Sequence, residues 1–388
     1  MLIIKAKSII CAVLCLLSGF TNVYSQAEQI TINKSDTVID GNGGLFNGGK
    51  LTYLVISSTK TSSGWVQTKN VTIKNCKIIG GARIIGLGKN GQAADVKESS
   101  LSLGHTERAQ AAAPTNIKFS NVTFETSDGM TLLYIAPGTT YVTVENSVFS
   151  GINTGSGPIV YMDVESGHNI FRNNTFTARS NREVIACDGS AYNLIEGNQF
   201  NMITKGGIYL YRNCGEGGTV RHQTPSYNTI RNNSFNLSNL IYGNYGIWLG
   251  SRNGNKTYCE DDAGYPFGSS IDNGDFADNN IVDSNTFTGG TASGRIKNDG
   301  ENNQINTTSA VRPDTSTNVP EVVFFQNKII FNTLKNNSLV KVFDSVGHVI
   351  FNEQVKENFI DFSLKPKGLC FVQFPDDDKI ITRKFIVR

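Results

Sequence analysis

The chain has 388 residues, 39 of them Gly and 9 Pro, with 18% charged residues and a formal net charge of +2. That length allows one large domain and a small one, and the near-neutral balance excludes the overall basic face of a nucleic-acid binder. A surface for a polyanion must therefore be local.

The first residues set the compartment. Lys5 and Lys7 precede an apolar run over residues 9–17, and Val23-Tyr24-Ser25 offers a signal-peptidase site before Gln26, so residues 1–25 read as a signal peptide. The run is too short to cross a bilayer, and no later stretch is long enough either. The expectation is an exported, soluble protein with no transmembrane segment and no lipid anchor. Export permits disulfides. Five cysteines follow the cleavage site, Cys76, Cys187, Cys214, Cys259 and Cys370, and the odd number leaves at least one unpaired. Cys214 and Cys259 lie in insertions on successive repeats and are the pair to expect; the alternative is five small buried apolar residues.

From about residue 70 a phrase recurs: Asn70-Val-Thr-Ile-Lys-Asn-Cys-Lys-Ile78, Asn116-Ile-Lys-Phe-Ser-Asn-Val-Thr-Phe124, and versions ending at Phe149, Phe176, Phe200, Phe235 and Phe287. The base period is about 25 residues, with insertions in some turns. Alternating apolar residues with Gly punctuation and no helical periodicity mark a strand-based solenoid, in which each turn buries its inward residues by stacking on its neighbours. An Asn recurring at one bend can ladder its amide along the axis. The pattern resembles that of a right-handed, pectate-lyase-like parallel β-helix, and residues 26–306 are assigned to it.

After each phrase comes a short apolar strand. Aligning these strands by alternation turns Tyr134, Tyr161, Ile185, Tyr209 and Trp248 outward in one row, with Arg295 and Lys297 beyond. Such a row is a platform for sugar rings; the alternative is packing beneath inserted loops. The residues that follow place acids on earlier turns, Asp163, Glu165 and Asp188, and arginines on later ones, Arg212 and Arg252. The groove so formed suits a metal ion at one end and an acidic sugar at the other. Insertions at 88–115, 213–226 and 252–278 are expected to wall it. The second carries Glu216, Arg221 and His222.

Residues 307–322 are rich in Thr, Ser, Asn, Pro and Asp and read as a linker. Residues 323–388 alternate as strands joined by Gly and Asp turns, which predicts a small antiparallel β-sandwich. Val340-Lys-Val-Phe-Asp-Ser-Val-Gly347, Ile360-Asp-Phe-Ser-Leu-Lys-Pro-Lys-Gly368 and Lys384-Phe-Ile-Val387 resemble the C-terminal sorting domain of the type IX secretion system. Cys370 stands where that family usually has an aromatic. The resemblance implies the type IX machinery as a partner, passage through the periplasm and across the outer membrane, and release to the medium or retention at the cell surface. It carries no information on chemistry.

Glu183-Val-Ile-Ala-Cys-Asp-Gly-Ser190, Asn193-Leu-Ile-Glu-Gly-Asn-Gln-Phe200, Leu210-Tyr-Arg-Asn213 and Gly246-Ile-Trp-Leu-Gly250 resemble the central coils of polysaccharide lyase family six, which holds alginate lyases and chondroitinase B. The resemblance implies that Glu183 is a calcium ligand and that Arg212 is the acid or charge stabiliser; Asp163 and Glu165, at the acidic end of the groove, are the further candidates for Ca2+. Asp188 stands where that family has its catalytic lysine, and Asn181 replaces a second carboxylate.

Cleavage by β-elimination needs a cation to neutralise a uronic carboxylate, a base, and an acid for the departing oxygen. Arg212 or Arg221 supplies the fork for the carboxylate, and His222 or Tyr211 the base, with Tyr211 or Arg212 assisting departure and Asp188 at the same edge. Tyr161, Tyr209, Glu216, Trp248 and Arg252 are the substrate-binding candidates. This reading gives a secreted lyase acting on an anionic polysaccharide. Two alternatives stand beside it. Asp261-Asp262 and Gly294-Arg-Ile-Lys297 echo polygalacturonase-like hydrolases, whose Gly-His-Gly and Asn-Thr-Asp motifs are absent. A non-catalytic glycan-binding protein or adhesin needs only the aromatic row.

Overall fold

The structure, a computed structural model, describes residues 27–126, 129–251, 262, 264–306, 322–325, 328–331, 338–344, 348–355, 359–361, 368–376 and 379–387. The expected signal peptide and most of the expected linker lie outside them. The chain divides into two compact units, Met1–Ala310 and Val311–Arg388.

The first unit is a parallel β-helix. Three main ladders of parallel strands run through its described residues, and the rungs from Leu133 to Thr288 contribute a short strand to each. One ladder passes through Thr52–Ser57, Leu133–Ile135, Val160–Met162, Ile185–Asp188, Ile208–Tyr211, Ile247–Leu249 and Ile296–Asn298. A second includes Ile170–Arg172, Leu194–Glu196, Thr229–Arg231 and Ile281–Asp283. The third joins Val148–Asn153, Thr175–Phe176, Gln199–Phe200, Ser234–Asn236 and Thr286–Thr288.

The recurring phrase becomes two kinds of internal stack. Phe124, Phe149, Phe176, Phe200, Phe235 and Phe287 lie one above the next, with successive ring centroids 4.9, 4.7, 4.7, 4.6 and 5.1 Å apart. Each such contact adds about 0.5–1.5 kcal/mol beyond the burial of the ring. At one corner Asn193, Asn228 and Asn280 donate both backbone and side-chain N–H to the Oδ1 of the next rung, at 2.8–3.1 Å. A parallel series runs through Asn174, Asn198 and Asn233 to Asn285. The turn that brings each Asn inward has a left-handed residue just before it, such as Tyr192, Tyr227 and Asn232. A chain of buried amides is stable because every member finds its partner on the neighbouring rung.

The outward row on the first ladder runs Val55, Arg83, Tyr134, Tyr161, Ala186, Tyr209, Trp248, Lys297. This corrects the sequence alignment by one residue at two rungs. Ile185 pairs with Val160 and Ile208 and is buried in the core, leaving Ala186 in the row; Ile296 pairs with Ile247, so Lys297 rather than Arg295 follows Trp248.

The insertion at 88–115 contains two short helices, α1 (Ala94–Ser100) and α2 (His105–Ala112), which bury Val96, Ala109 and Ala112 with Leu87. No helix among the described residues is long and apolar enough to cross a membrane. The second unit holds a three-stranded and a four-stranded antiparallel sheet. Ile329 and Ile360 from the smaller sheet share one apolar core with Val340, Val342, Val372 and Phe374 from the larger, which makes it a β-sandwich.

Candidate functional site

The first ladder carries two groups of polar residues, one beneath the inserted loops and one beneath a surface cleft. The first group begins with a repeated motif. Tyr134 donates its hydroxyl to Asp163, and Tyr161, stacked on Tyr134 at 5.5 Å, donates to Asp188. Since Met162 pairs with Cys187, the two aspartates follow at equivalent places on adjacent rungs. Both are buried and neither is bare: Asp163 also accepts from the backbone N–H of Gly91 and Val164, and Asp188 from the backbone and side-chain amides of Asn213. Burial raises the Asp163 carboxyl and lifts Asp188 to about 7, against the pull of Arg221.

Arg221 is the cation of this layer and is 2% exposed. Burial opposes its charge, but Asp163 and Asp188 outweigh that and raise its pKa. Gly91 is required beside it, because a Cβ there would lie 2.0 Å from Nη1. The loops at 88–115 and 213–226 thus close over the middle of the outward face, and the continuous trough expected from sequence is covered there.

Several sequence candidates belong to this closure. His222 donates Nε2–H to the carbonyl of Ser100 at 2.8 Å, and its ring lies between His105 and Phe267. Glu165 accepts from Thr106 and from the backbone N–H of His222 and Gln223, tying the two loops together. The His105 imidazole, mainly through burial, is held down to about 3. Arg212 turns to the loop that follows, donating to the carbonyls of Asp272, Gly274 and Arg221 with its guanidinium over Phe276. It therefore serves as a brace rather than facing the row. Glu216 is half-buried in a short 3-10 turn. Arg252, Cys259 and Asp261 lie outside the described residues. Cys214 is disulfide-bonded, while Cys76, Cys187 and Cys370 are free and buried.

The calcium set does not assemble. Among the described residues no group of three His, Cys, Asp or Glu is arranged to hold a metal ion. The oxygens of Asp163 and Glu165 are engaged by N–H and O–H donors, and those of Glu183 by Tyr211 and Arg182, so these acids do not fit a calcium ligand shell.

The second group lies further along the row, where Tyr211 and Glu183 are 1% and 3% exposed. A cleft of about 300 Å³ is lined by Arg182, Glu183, Lys205, Tyr211, Asn244 and Trp248 among others. On its floor the Tyr211 hydroxyl donates to Glu183 Oε1 at 3.0 Å, and Arg182 Nε lies 3.3 Å from Glu183 Oε2. Tyr211 is positioned by the strand Ile208–Tyr211, which keeps Leu210 in the core and turns Tyr209 and Tyr211 outward together. Gly206, at φ +149°, brings the chain against the Tyr209 ring, where a Cβ would meet it at 2.4 Å. Trp248 stands edge-on to Tyr209 and Tyr245, rests on Lys297 at 4.2 Å, and donates Nε1–H to Asp299 at 2.7 Å. An indole fixed on so many sides presents its free surface at little entropic cost.

Of the sequence candidates, Tyr209, Tyr211, Trp248 and Glu183, the last expected as a calcium ligand, line this cleft; Arg182, Lys205 and Asn244 line it without having been singled out. Arg182 was findable as the neighbour of Glu183, and Lys205 as the charge preceding Gly206-Gly207. Asn244 had no signal.

No family model matches the chain, and no curated protein matches it. Among solved structures, it is similar to the enzymatically active domain of tailspike protein 2 of bacteriophage CBA120, at 10% identity over 93% of this chain and 66% of that one, with a TM-score of 0.26. It is also similar to the full-length tailspike protein 2 of an Escherichia coli O157:H7 bacteriophage, at 11% identity over 93% of this chain and 59% of that one, with a TM-score of 0.25. The chain spans less than two thirds of the length of either. The fold assignment rests on the ladders themselves.

Proposed function

We propose that the protein binds an acidic polysaccharide in the cleft around Tyr211 and cleaves it by β-elimination. The observation that carries this reading is the Tyr211–Glu183 hydrogen bond on the floor of an open cleft whose walls bring Arg182, Lys205 and Trp248. Arg182 and Lys205 neutralise the uronic carboxylate, which acidifies the neighbouring C5–H, and Trp248 supplies a stacking surface. Tyr211 Oη takes the C5 proton as its own proton passes to Glu183 Oε1. The C–H electrons form the C4=C5 double bond and expel the glycosidic oxygen from C4, and the Tyr211–Glu183 pair returns a proton to that oxygen. Water is not consumed. Hydrolysis would need two carboxyls flanking the scissile bond, roughly 5–9.5 Å apart. Among the described residues that line the cleft, Glu183 is the sole carboxylate; Asp163 and Asp188 do not line it, and Asp262 is held by Ser269.

The test is incubation with a panel of uronic polysaccharides. Ultraviolet absorbance from unsaturated ends supports elimination, new reducing ends without it support hydrolysis, and neither leaves a glycan-binding protein. The sorting role of residues 323–388 is proposed from their sequence resemblance. Deleting them is expected to strand the protein in the periplasm, and undiminished export would remove that role.

A further inference from the structure

We infer that the other end of the outward face is a second saccharide-binding site, in which Arg83 grips an anionic substituent, a carboxylate or a sulfate ester. It is separate from the Tyr211 cleft and rests on the same class of acidic glycan.

Register places Arg83 between Val55 and Tyr134 on the row. Its guanidinium is sandwiched by two rings, 4.9 Å from the centroid of Tyr53 and 5.0 Å from that of Tyr134. Stacking occupies both faces of the planar cation and leaves its edge, where the N–H donors are, for hydrogen bonds. Among the described residues no hydrogen bond from Arg83 is made within the protein. Nε is buried without a partner, and among the described residues Arg83 forms no ion pair. A half-buried guanidinium whose Nε–H is shut from water and unpaired is unfavourable unless an acceptor completes it.

The surroundings suit an anion on a sugar. Arg83 lines a cavity of about 390 Å³ with Lys89, Tyr53, Gln29 and Ser57. Lys89 is exposed and adds a second positive charge; Gln29 and Ser57 bring neutral hydrogen-bonding groups, and no carboxylate lines the cavity among the described residues. A fork of N–H donors between two aromatic faces recognises a planar carboxylate or a sulfate bidentately, and the Tyr53 ring beside it offers an edge to the attached sugar. Tyr134 belongs both to this cradle and to the buried Asp163 motif, so the arginine is held in place by a residue that is itself fixed.

The experiment is calorimetric titration of the full chain at low salt with two probes, an unsulfated uronic hexasaccharide and a sulfated, carboxyl-reduced hexasaccharide. Both are titrated into the wild type, Arg83→Gln, Lys89→Gln and Tyr211→Phe, with circular dichroism to confirm folding. The proposal expects at least one probe to bind the wild type and roughly tenfold or greater weakening in Arg83→Gln, as for loss of a charge-assisted hydrogen bond. Lys89→Gln, on an exposed side chain, is expected to weaken the same probe by a smaller factor, and it decides the matter alone if Arg83→Gln does not fold. Which probe binds tells carboxylate from sulfate. Unchanged affinity in both cation variants, or no binding of either probe to the wild type, overturns the proposal. Binding lost in Arg83→Gln by a protein that cleaves no polysaccharide would leave this site standing and remove the proposed lyase activity. Cleavage that depends on Tyr211, with binding indifferent to Arg83 and Lys89, would do the reverse.

Discussion

Tyr211 and Asp188 face each other on adjacent rungs, yet the Tyr211 hydroxyl turns from Asp188 to Glu183, 3.0 Å away, while Asp188 takes its proton donor from Tyr161. This divergence separates a buried phenol–carboxylate pair beneath the surface cleft from the buried aspartate layer beneath the loops. The two layers lead to different expectations when their members are changed.

Tyr211→Phe removes the proton carrier and keeps the ring that packs with Ala186 and Tyr209. Turnover is expected to fall by about 10²-fold or more, in the range general acid–base groups contribute, with the fold retained and the melting temperature lowered by the loss of one buried hydrogen bond. Steady-state kinetics beside a thermal melt check this. Arg212→Ala, which withdraws a brace on three backbone carbonyls, is expected to lower the melting temperature as well.

Trp248→Ala strips the cleft of its stacking surface without touching Tyr211 or Glu183. A rise in KM of roughly three- to tenfold is expected, as for one aromatic contact, with kcat less affected. An equal loss in both constants would place Trp248 in the chemical step.

Asp188 titrates near about 7 when folded because it is buried beside Asp163, whereas an unfolded aspartate titrates near about 3.9. Between those values the folded state binds protons that the unfolded state has released, so this group's contribution to stability falls as pH rises and levels off above about 7. Asp163, also raised by burial, acts in the same sense, and Arg221 opposes both. Asp188→Asn removes one of these ionisations. Its melting temperature relative to the wild type is expected to improve between about pH 5 and about pH 8, and a constant difference would contradict the buried-pair account.

The ladders can be tested independently of function. Phe200→Ala opens a hole between Phe176 and Phe235 and is expected to cost about 3–5 kcal/mol. Asn198→Ala leaves its neighbours' amides unpaired and is expected to cost roughly 1–3 kcal/mol in urea unfolding.

These stacks were legible because each turn repeats the demand of the one before: a ring on Phe176 can only be covered by another at Phe200. The outward row was less legible. Val184-Ile185-Ala186-Cys187 contains no polar residue to mark the alternation, and the strand there is one residue out of step with the phrase. The same slip occurred at Arg295-Ile296-Lys297, where charges flank the inward residue on both sides. Side-chain direction in the insertions was not readable at all. Arg212 follows directly on Tyr211, and only the carbonyls of the 268–278 loop, distant in sequence, decide that it turns outward to them. Helices α1 and α2 were hidden for a related reason: their short apolar faces meet Leu87 and Trp65, the latter on a hairpin of Thr59–Thr61 with Gly64–Val66, instead of the repeating core.

The most direct measurement is the mass of the oligosaccharides released from an acidic polysaccharide by the wild type and by Tyr211→Phe. The account predicts fragments lighter by one water than hydrolysis products, each carrying an unsaturated end, and none above background from the variant. Fragments of hydrolytic mass, or the same unsaturated fragments at the same rate from Tyr211→Phe, would contradict it.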